Sequence, residues 1–204
     1  MLAVVPGARS PTNVDKVIEE TKRRTGGRFM DMITTDEYKG YRPAILRHYG
    51  VIEHSVPKKV GRPPKPKMVA PEGLNYAVVH KTREKGRVVN TELKIIFGNT
   101  DKLTRSGNSK AINTAFVERY NGTDRNQNAR KIRKTYMFSK DWDTHNLITF
   151  FISYCYNFCW PVRTLSPTKS ADTPHRITPA MSAKLTDHLW TIREWLTIPV
   201  VQLE

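Results

Sequence analysis

The chain has 204 residues and a net charge of +15 at pH 7, and 38% of its residues are hydrophobic. A chain of this length buries enough surface for one core with a modest appendage, and its composition argues against disorder along the whole length. Apolar runs are all shorter than a membrane span, so we expect no membrane protein.

The positive charge is concentrated in the middle of the chain. Residues 51–140 carry +13 of the +15, while the segments on either side are close to neutral. A basic block of this kind is typical of a surface that faces phosphates. Nucleic acid is therefore the expected partner. A membrane surface is disfavoured, because no basic amphipathic helix stands out.

The first fifty residues predict alternating strands and helices. Residues 2–5 and 29–35 have strand composition, and a helix follows each of them. Ser10-Pro11 is a helix start and Gly26-Gly27 a helix stop, and Gly50 ends the second helix. This order predicts an α/β fold.

The next segment, residues 51–73, is rich in proline and lysine and predicts a loop or an exposed arm. Its centre, Gly61-Arg62-Pro63, resembles an AT-hook that lies in a narrow minor groove, although a basic proline linker is an equal alternative. Residues 75–80 and 87–97 have strand patterns separated by Glu84-Lys85-Gly86, which predicts a hairpin.

Three helical segments are predicted in the second half of the chain. The first starts at Ser109 with an apolar side and is ended or interrupted by Gly122. The second is capped by Ser139, runs to about Cys159 and is the expected core helix, with one face formed by Leu147, Phe151, Tyr154 and Phe158. The third, residues 178–196, is a short helical tail.

The two cysteines, Cys155 and Cys159, lie four residues apart in the predicted core helix. Helix geometry at this spacing does not suit a disulfide, so both are expected to be free packing residues in a reducing, intracellular compartment.

Two carboxylates are candidates for chemistry. Asp36 follows a predicted strand, where α/β folds present functional side chains, although a turn aspartate is the commoner role. Glu118 shares a polar helix face with Thr114, Asn121 and Arg125, and the alternative is a solvated face with an ion pair. Acids within basic surroundings suit a divalent metal beside a phosphodiester, because the acids bind the ion while Lys and Arg bind phosphates.

Four motifs, in order, carry a family resemblance: TTDEY at 34–38, NTAFVERYN at 113–121, RKTYMFSK at 133–140 and YNFCWP at 156–161. Together they resemble an insertion-sequence transposase of the DDE type, in the IS-one-like branch. The resemblance implies a ribonuclease-H-like mixed sheet flanked by helices, with a basic insertion. It also implies metal-dependent DNA strand cleavage and transfer at transposon ends, in a cytoplasmic, nucleoid-associated protein.

In such an enzyme three carboxylates bind two Mg²⁺ or Mn²⁺ ions, and by position Asp36 is the second and Glu118 the third. Asn121 is implied as a residue that supports Glu118. The expected DNA contacts are basic residues of the arm and of the region around the third carboxylate: Arg62, Lys65, Lys67, Arg119, Arg125, Arg130, Lys131, Arg133 and Lys134.

The family's first aspartate belongs on a strand at or before residues 2–5, where this sequence has none. The resemblance therefore predicts a core that is incomplete at its amino terminus and inactive by itself. The alternative is a non-catalytic basic DNA-binding protein, and self-association is left open. The expected organisation is a first part of the core (1–52), a basic arm with a β insertion (53–98), the catalytic-helix part (99–160) and a helical tail (161–204).

Overall fold

The computed structural model describes residues 1–54, 65–98, 115–132, 134–165 and 176–198. These residues form a mixed α/β protein with a small mixed sheet, which confirms the general α/β class predicted from the sequence. The chain divides into two compact units, one of residues 2–120 and one of residues 121–204 with Met1. Among the helices described, none combines the length and the apolar character needed to cross a bilayer.

The described residues of the first unit form two helices and five strands, and a further helix begins in it. In chain order they are α1 (Pro11–Arg24), β1 (Ile33–Thr35), α2 (Tyr41–Tyr49), β2 (Val51–Glu53), β3 (Lys67–Val69), β4 (Tyr76–Glu84), β5 (Arg87–Phe97) and α3 (Ala115–Gln127). The sheet order is β1-β4-β5, in which β1 and β4 are parallel and β4 and β5 antiparallel, while β2 and β3 form a separate antiparallel pair.

Local sequence signals explain two of these elements. The Ser10 hydroxyl accepts the amide N–H of Asn13 at the start of α1, and Pro11 occupies the first turn, as predicted. Strands β4 and β5 are joined by Lys85 and Gly86, which both have positive φ, 46° and 80°. Positive φ at both central positions is the geometry of a two-residue hairpin turn, so the predicted hairpin is confirmed.

The predicted strand at residues 2–5 is wrong, because these residues form no strand in the described structure. A four-residue apolar stretch becomes a strand only where another strand pairs with its backbone, and Pro6 ends it without an N–H to donate. The second predicted strand, 29–35, is shorter than expected and covers only Ile33–Thr35. The Ile33 amide starts this strand by donating to the Asn75 carbonyl at 2.9 Å.

The core of the first unit lies between α1, α2 and one face of the sheet. Ile45 in α2 is fully buried at 0% exposure. Buried side chains of α1, α2, β4 and the segment just before β4 pack around it: Val14, Ile18, Ala44, Tyr49, Leu74, Tyr76 and Val78. Ala77 and Val79 are buried too, and because successive strand residues alternate, they lie on the opposite face of the sheet.

In the part of the second unit that the structure describes, three further helices follow, α4 (Trp142–Cys159), α5 (Pro179–Ser182) and α6 (Ile192–Thr197). It also contains the 3₁₀ turns Ala129–Lys131 and Arg163–Leu165. The cap of α4 is Asp141, whose carboxylate accepts the Thr144 amide at 2.7 Å and whose pKa is held low by that bond. The predicted cap, Ser139, is bonded to His145 Nδ1 instead, at 2.9 Å.

Three expectations for the helices are corrected. Helix α3 continues through Gly122, because a glycine inside a helix costs only about 1 kcal/mol. Leu147 is 69% exposed and Phe151 is exposed as well, whereas Thr149 and Ser153 are the buried residues of α4. Apolar periodicity predicts which residues share a helix face, but it does not show which face another element packs against. The helical tail is two short helices, separated by a segment in which Lys184 has a φ of 58°.

Both cysteines in α4 are free thiols, which confirms the prediction that they form no disulfide. Burial raises the pKa of the Cys159 thiol to about 12, and a hydrogen bond with Cys155 acts in the same direction. The start of the predicted helix at Ser109 lies outside the described residues.

Candidate functional site

Asp36 lies directly after β1, at the carboxyl end of the strand that runs parallel to β4. Its carboxylate forms an ion pair with the guanidinium of Arg9 and accepts the Tyr38 amide at 3.3 Å. The side chain of Asp36 is 52% exposed. It is therefore an accessible carboxylate, held in place by one cation and one backbone N–H.

Arg9 is fixed by aromatic rings as well as by Asp36. Its guanidinium carbon lies 4.5 Å from the centre of the Tyr38 ring, and the Tyr38 hydroxyl donates to the Arg9 carbonyl at 3.0 Å. Tyr41 lies beside this group, and burial and then the nearby Asp36 charge raise its pKa. Arg9 is therefore held next to Asp36 by three side chains, those of Asp36 itself, Tyr38 and Tyr41.

Glu118 lies in the first turn of α3 and is 59% exposed. Its carboxylate forms an ion pair with the ammonium group of Lys81 in β4. Lys81 lies three residues beyond Val78, the β4 partner of Thr35 at the end of β1. Asp36 thus follows β1, and Lys81, the cation that holds Glu118, belongs to the neighbouring parallel strand β4.

Glu37 and His80 form a further pair near the carboxyl end of β1. The only indication of this pair in the sequence was the position of Glu37 next to Asp36. His80 Nδ1 and Glu37 Oε1 are 2.5 Å apart, and Lys94 Nζ lies 3.6 Å from the same oxygen. His80 and Lys81 are consecutive in β4, so they point to opposite faces of the sheet. Strand β4 thereby anchors Glu37 on one face and Glu118 on the other.

An open pocket of about 560 Å³ lies beside the loop that follows β1, between α2 and the strands β4 and β5. Its lining residues come from the loop after β1, from α2 and from the two strands: Glu37, Tyr38, Lys39, Arg42, Pro43, Leu46, Tyr76, Val78, Lys94 and Ile96. The sequence patterns did not indicate this pocket, because its lining comes from segments far apart in the chain.

The expected DNA contacts of the first unit are exposed where they are described. Lys65 and Lys67 are exposed, and Lys67 starts β3 opposite Glu53. Arg119 is exposed on α3, one residue after Glu118. Arg62, together with the AT-hook-like core, lies outside the described residues.

The expected contacts of the second unit differ in exposure. Arg125 and Lys134 are exposed, and so is Asn121, the expected supporting residue. Lys131 is turned inward, because its ammonium group donates to both carboxylate oxygens of the buried Asp124, at 2.9 and 3.1 Å. Arg130 is half-buried and lines a small pocket near the start of α4. Arg133 lies outside the described residues.

Asp36 and Glu118 have the donor chemistry that a hard divalent cation takes, since both are carboxylates on side chains that are more than half exposed. In the described residues, no cluster of three or more His, Cys, Asp or Glu side chains is arranged to hold a metal ion. Each of the two acids has a cation of its own as its partner, Asp36 the guanidinium of Arg9 and Glu118 the ammonium group of Lys81.

Comparison of the chain with protein-family models, with curated proteins and with solved structures gives no match.

Proposed function

We propose that this chain belongs to the catalytic core of an insertion-sequence DDE transposase with a ribonuclease-H-like fold. Asp36 and Glu118 are then its carboxylates for Mg²⁺ or Mn²⁺, and DNA at transposon ends is the substrate. The observation that carries the proposal is the position of Asp36 after β1 together with the Lys81–Glu118 pair on the neighbouring parallel strand. Motif order and the basic middle of the chain support it.

The topology of the first unit supports the ribonuclease-H-like assignment. Parallel strands β1 and β4 are connected through α2, and ligand sites in such sheets lie beyond the carboxyl ends of the strands. Asp36 occupies that position. Helices α1 and α2 cover one face of the sheet, and β5 adds an antiparallel strand that makes the sheet mixed.

In this proposal, acidic and basic residues of the chain have different roles toward a phosphodiester. Asp36 and Glu118 supply the negative oxygens that hold a cation, and basic residues such as Arg119 hold the flanking phosphates. A bound divalent ion supplies charge neutralisation of the phosphate and a lowered pKa for its water. Two acids hold one ion, whereas strand transfer uses two, so a third acid is needed to complete the enzyme.

The effect of Mg²⁺ on duplex DNA binding tests this proposal. At fixed ionic strength with Mg²⁺, we expect Asp36→Asn and Glu118→Gln to bind DNA about tenfold more weakly than the unchanged chain, because one charged contact is lost. With a chelator in place of Mg²⁺ both variants should bind at least as tightly as the unchanged chain, since each has lost a negative charge that repels phosphate and has released Arg9 or Lys81 from its acidic partner. Fluorescence anisotropy of a labelled duplex measures both conditions.

The matched control is Glu19→Gln, which removes one exposed acid from α1. It should bind DNA like the unchanged chain with and without Mg²⁺. Equal DNA affinity of the Asp36→Ala/Glu118→Ala double variant and the unchanged chain in Mg²⁺ would contradict the proposal. That result would favour the alternative, a non-catalytic basic DNA-binding protein.

A further inference from the structure

The pocket between α2 and the sheet combines an apolar floor with a cationic rim. Leu46, Val78 and Ile96 contribute aliphatic side chains to the floor. Lys39, Arg42 and Lys94 line the same pocket. An apolar group with an anion attached to it would satisfy both parts of this lining.

The charges on the rim favour an anion. Glu37, the acid in the lining, is bonded to His80 at 2.5 Å and lies 3.6 Å from Lys94, so its charge is already matched. Lys39 and Arg42 have no acidic partner among the described residues. The guanidinium carbon of Arg42 lies 5.9 Å from the centre of the Phe97 ring. Two cations are thus left to bind a negative group at the mouth of the pocket.

The pocket adjoins the residue that the proposed function places on a DNA phosphate. Glu37 and Tyr38, both in its lining, directly follow Asp36 in the chain. Because consecutive Cα atoms are about 3.8 Å apart, the backbone of Glu37, which lines the pocket, directly adjoins that of Asp36. Tyr38 adds an aromatic ring to the lining, and base faces stack on such rings irrespective of sequence.

We propose that this pocket takes up one unpaired nucleobase of a DNA strand whose neighbouring phosphates lie against Lys39 and Arg42. This rests on the proposed function, because it places the base next to the phosphate that Asp36 serves. A paired base remains in its stack and cannot enter. The chain then prefers DNA with an unpaired base over a fully paired duplex, and the pocket carries that preference.

The test compares two DNA duplexes of equal length, one fully paired and one with a single unpaired adenine. The unchanged chain should bind the second about tenfold more tightly, the effect of one stacked base. Leu46→Trp, which fills the pocket, and Arg42→Ala should each bring the two affinities to within about twofold. Lys16→Ala removes an exposed cation of α1 outside the pocket and should leave the ratio unchanged. Circular dichroism checks that the variants are folded. If Leu46→Trp does not fold, the affinity ratio of Arg42→Ala alone tests the inference.

Two outcomes overturn this inference while leaving the proposed function intact. One is tight, salt-dependent binding with equal affinity for both duplexes. The other is a preference for the unpaired base that survives both pocket variants, which would place the base elsewhere. Failure to bind either duplex would instead contradict the proposed function itself, and this inference with it.

Discussion

Duplex DNA is expected to bind this chain about a thousandfold more weakly at 200 mM than at 50 mM salt. The reason is counterion release, since each cation that neutralises a phosphate frees an ion from the DNA. Residues 51–140 carry +13, enough for the six or so phosphate contacts that such a change requires. Titration of a labelled duplex at several salt concentrations measures the slope of log affinity against log salt.

Arg119→Ala should make that slope shallower by about one unit, because one phosphate contact is lost. Arg119 is exposed on α3 next to Glu118, within the basic middle of the chain. Lys16→Ala, which removes the same charge from the near-neutral first segment, should leave the slope unchanged. An affinity that does not change with salt would contradict the assignment of the basic block to phosphate binding.

Ile45→Ala is expected to lower the free energy of unfolding of the first unit by about 3 kcal/mol. Ile45 is fully buried between α1 and the sheet, so the truncated side chain leaves a cavity as well as losing its burial. Ile52→Ala makes the same chemical change in β2, where the side chain is 61% exposed, and should cost less than about 0.5 kcal/mol. Urea unfolding followed by the amide NMR signals of the first unit compares the two variants, because all four tryptophans of the chain lie in the second unit; equal costs would contradict the described core.

The elements with strong local signals could be predicted from the sequence. Ser10 and Pro11 specify the start of α1 because the cap and the fixed φ act within one turn. Lys85 and Gly86 specify the hairpin for the same reason. A strand at residues 2–5 would have needed a pairing partner from elsewhere in the chain. Whether Leu147 is buried depends on what packs against α4. A local sequence pattern contains neither kind of information.

The candidate site was predictable only in part, for the same physical reason. Asp36 could be placed at a strand end, and Glu118 on a polar helix face, from local spacing alone. Their partners Arg9 and Lys81 are 27 and 37 residues away in the chain, so the ion pairs depend on the fold. The inward turn of Lys131 toward Asp124 could not be predicted either, because a basic stretch looks alike whether its side chains face DNA or an internal acid.

The most direct test of the claim that Asp36 and Glu118 are metal carboxylates is a Mn²⁺ titration followed by the amide NMR spectrum of the full chain. Mn²⁺ is paramagnetic and broadens the signals of nuclei near the site where it binds. We expect the amides of residues 35–38 and those around Glu118 to broaden first and together, and this broadening to be lost in Asp36→Asn and Glu118→Gln but kept in Glu19→Gln. Broadening that starts at other acidic residues, or that is unchanged in both variants, would contradict the account.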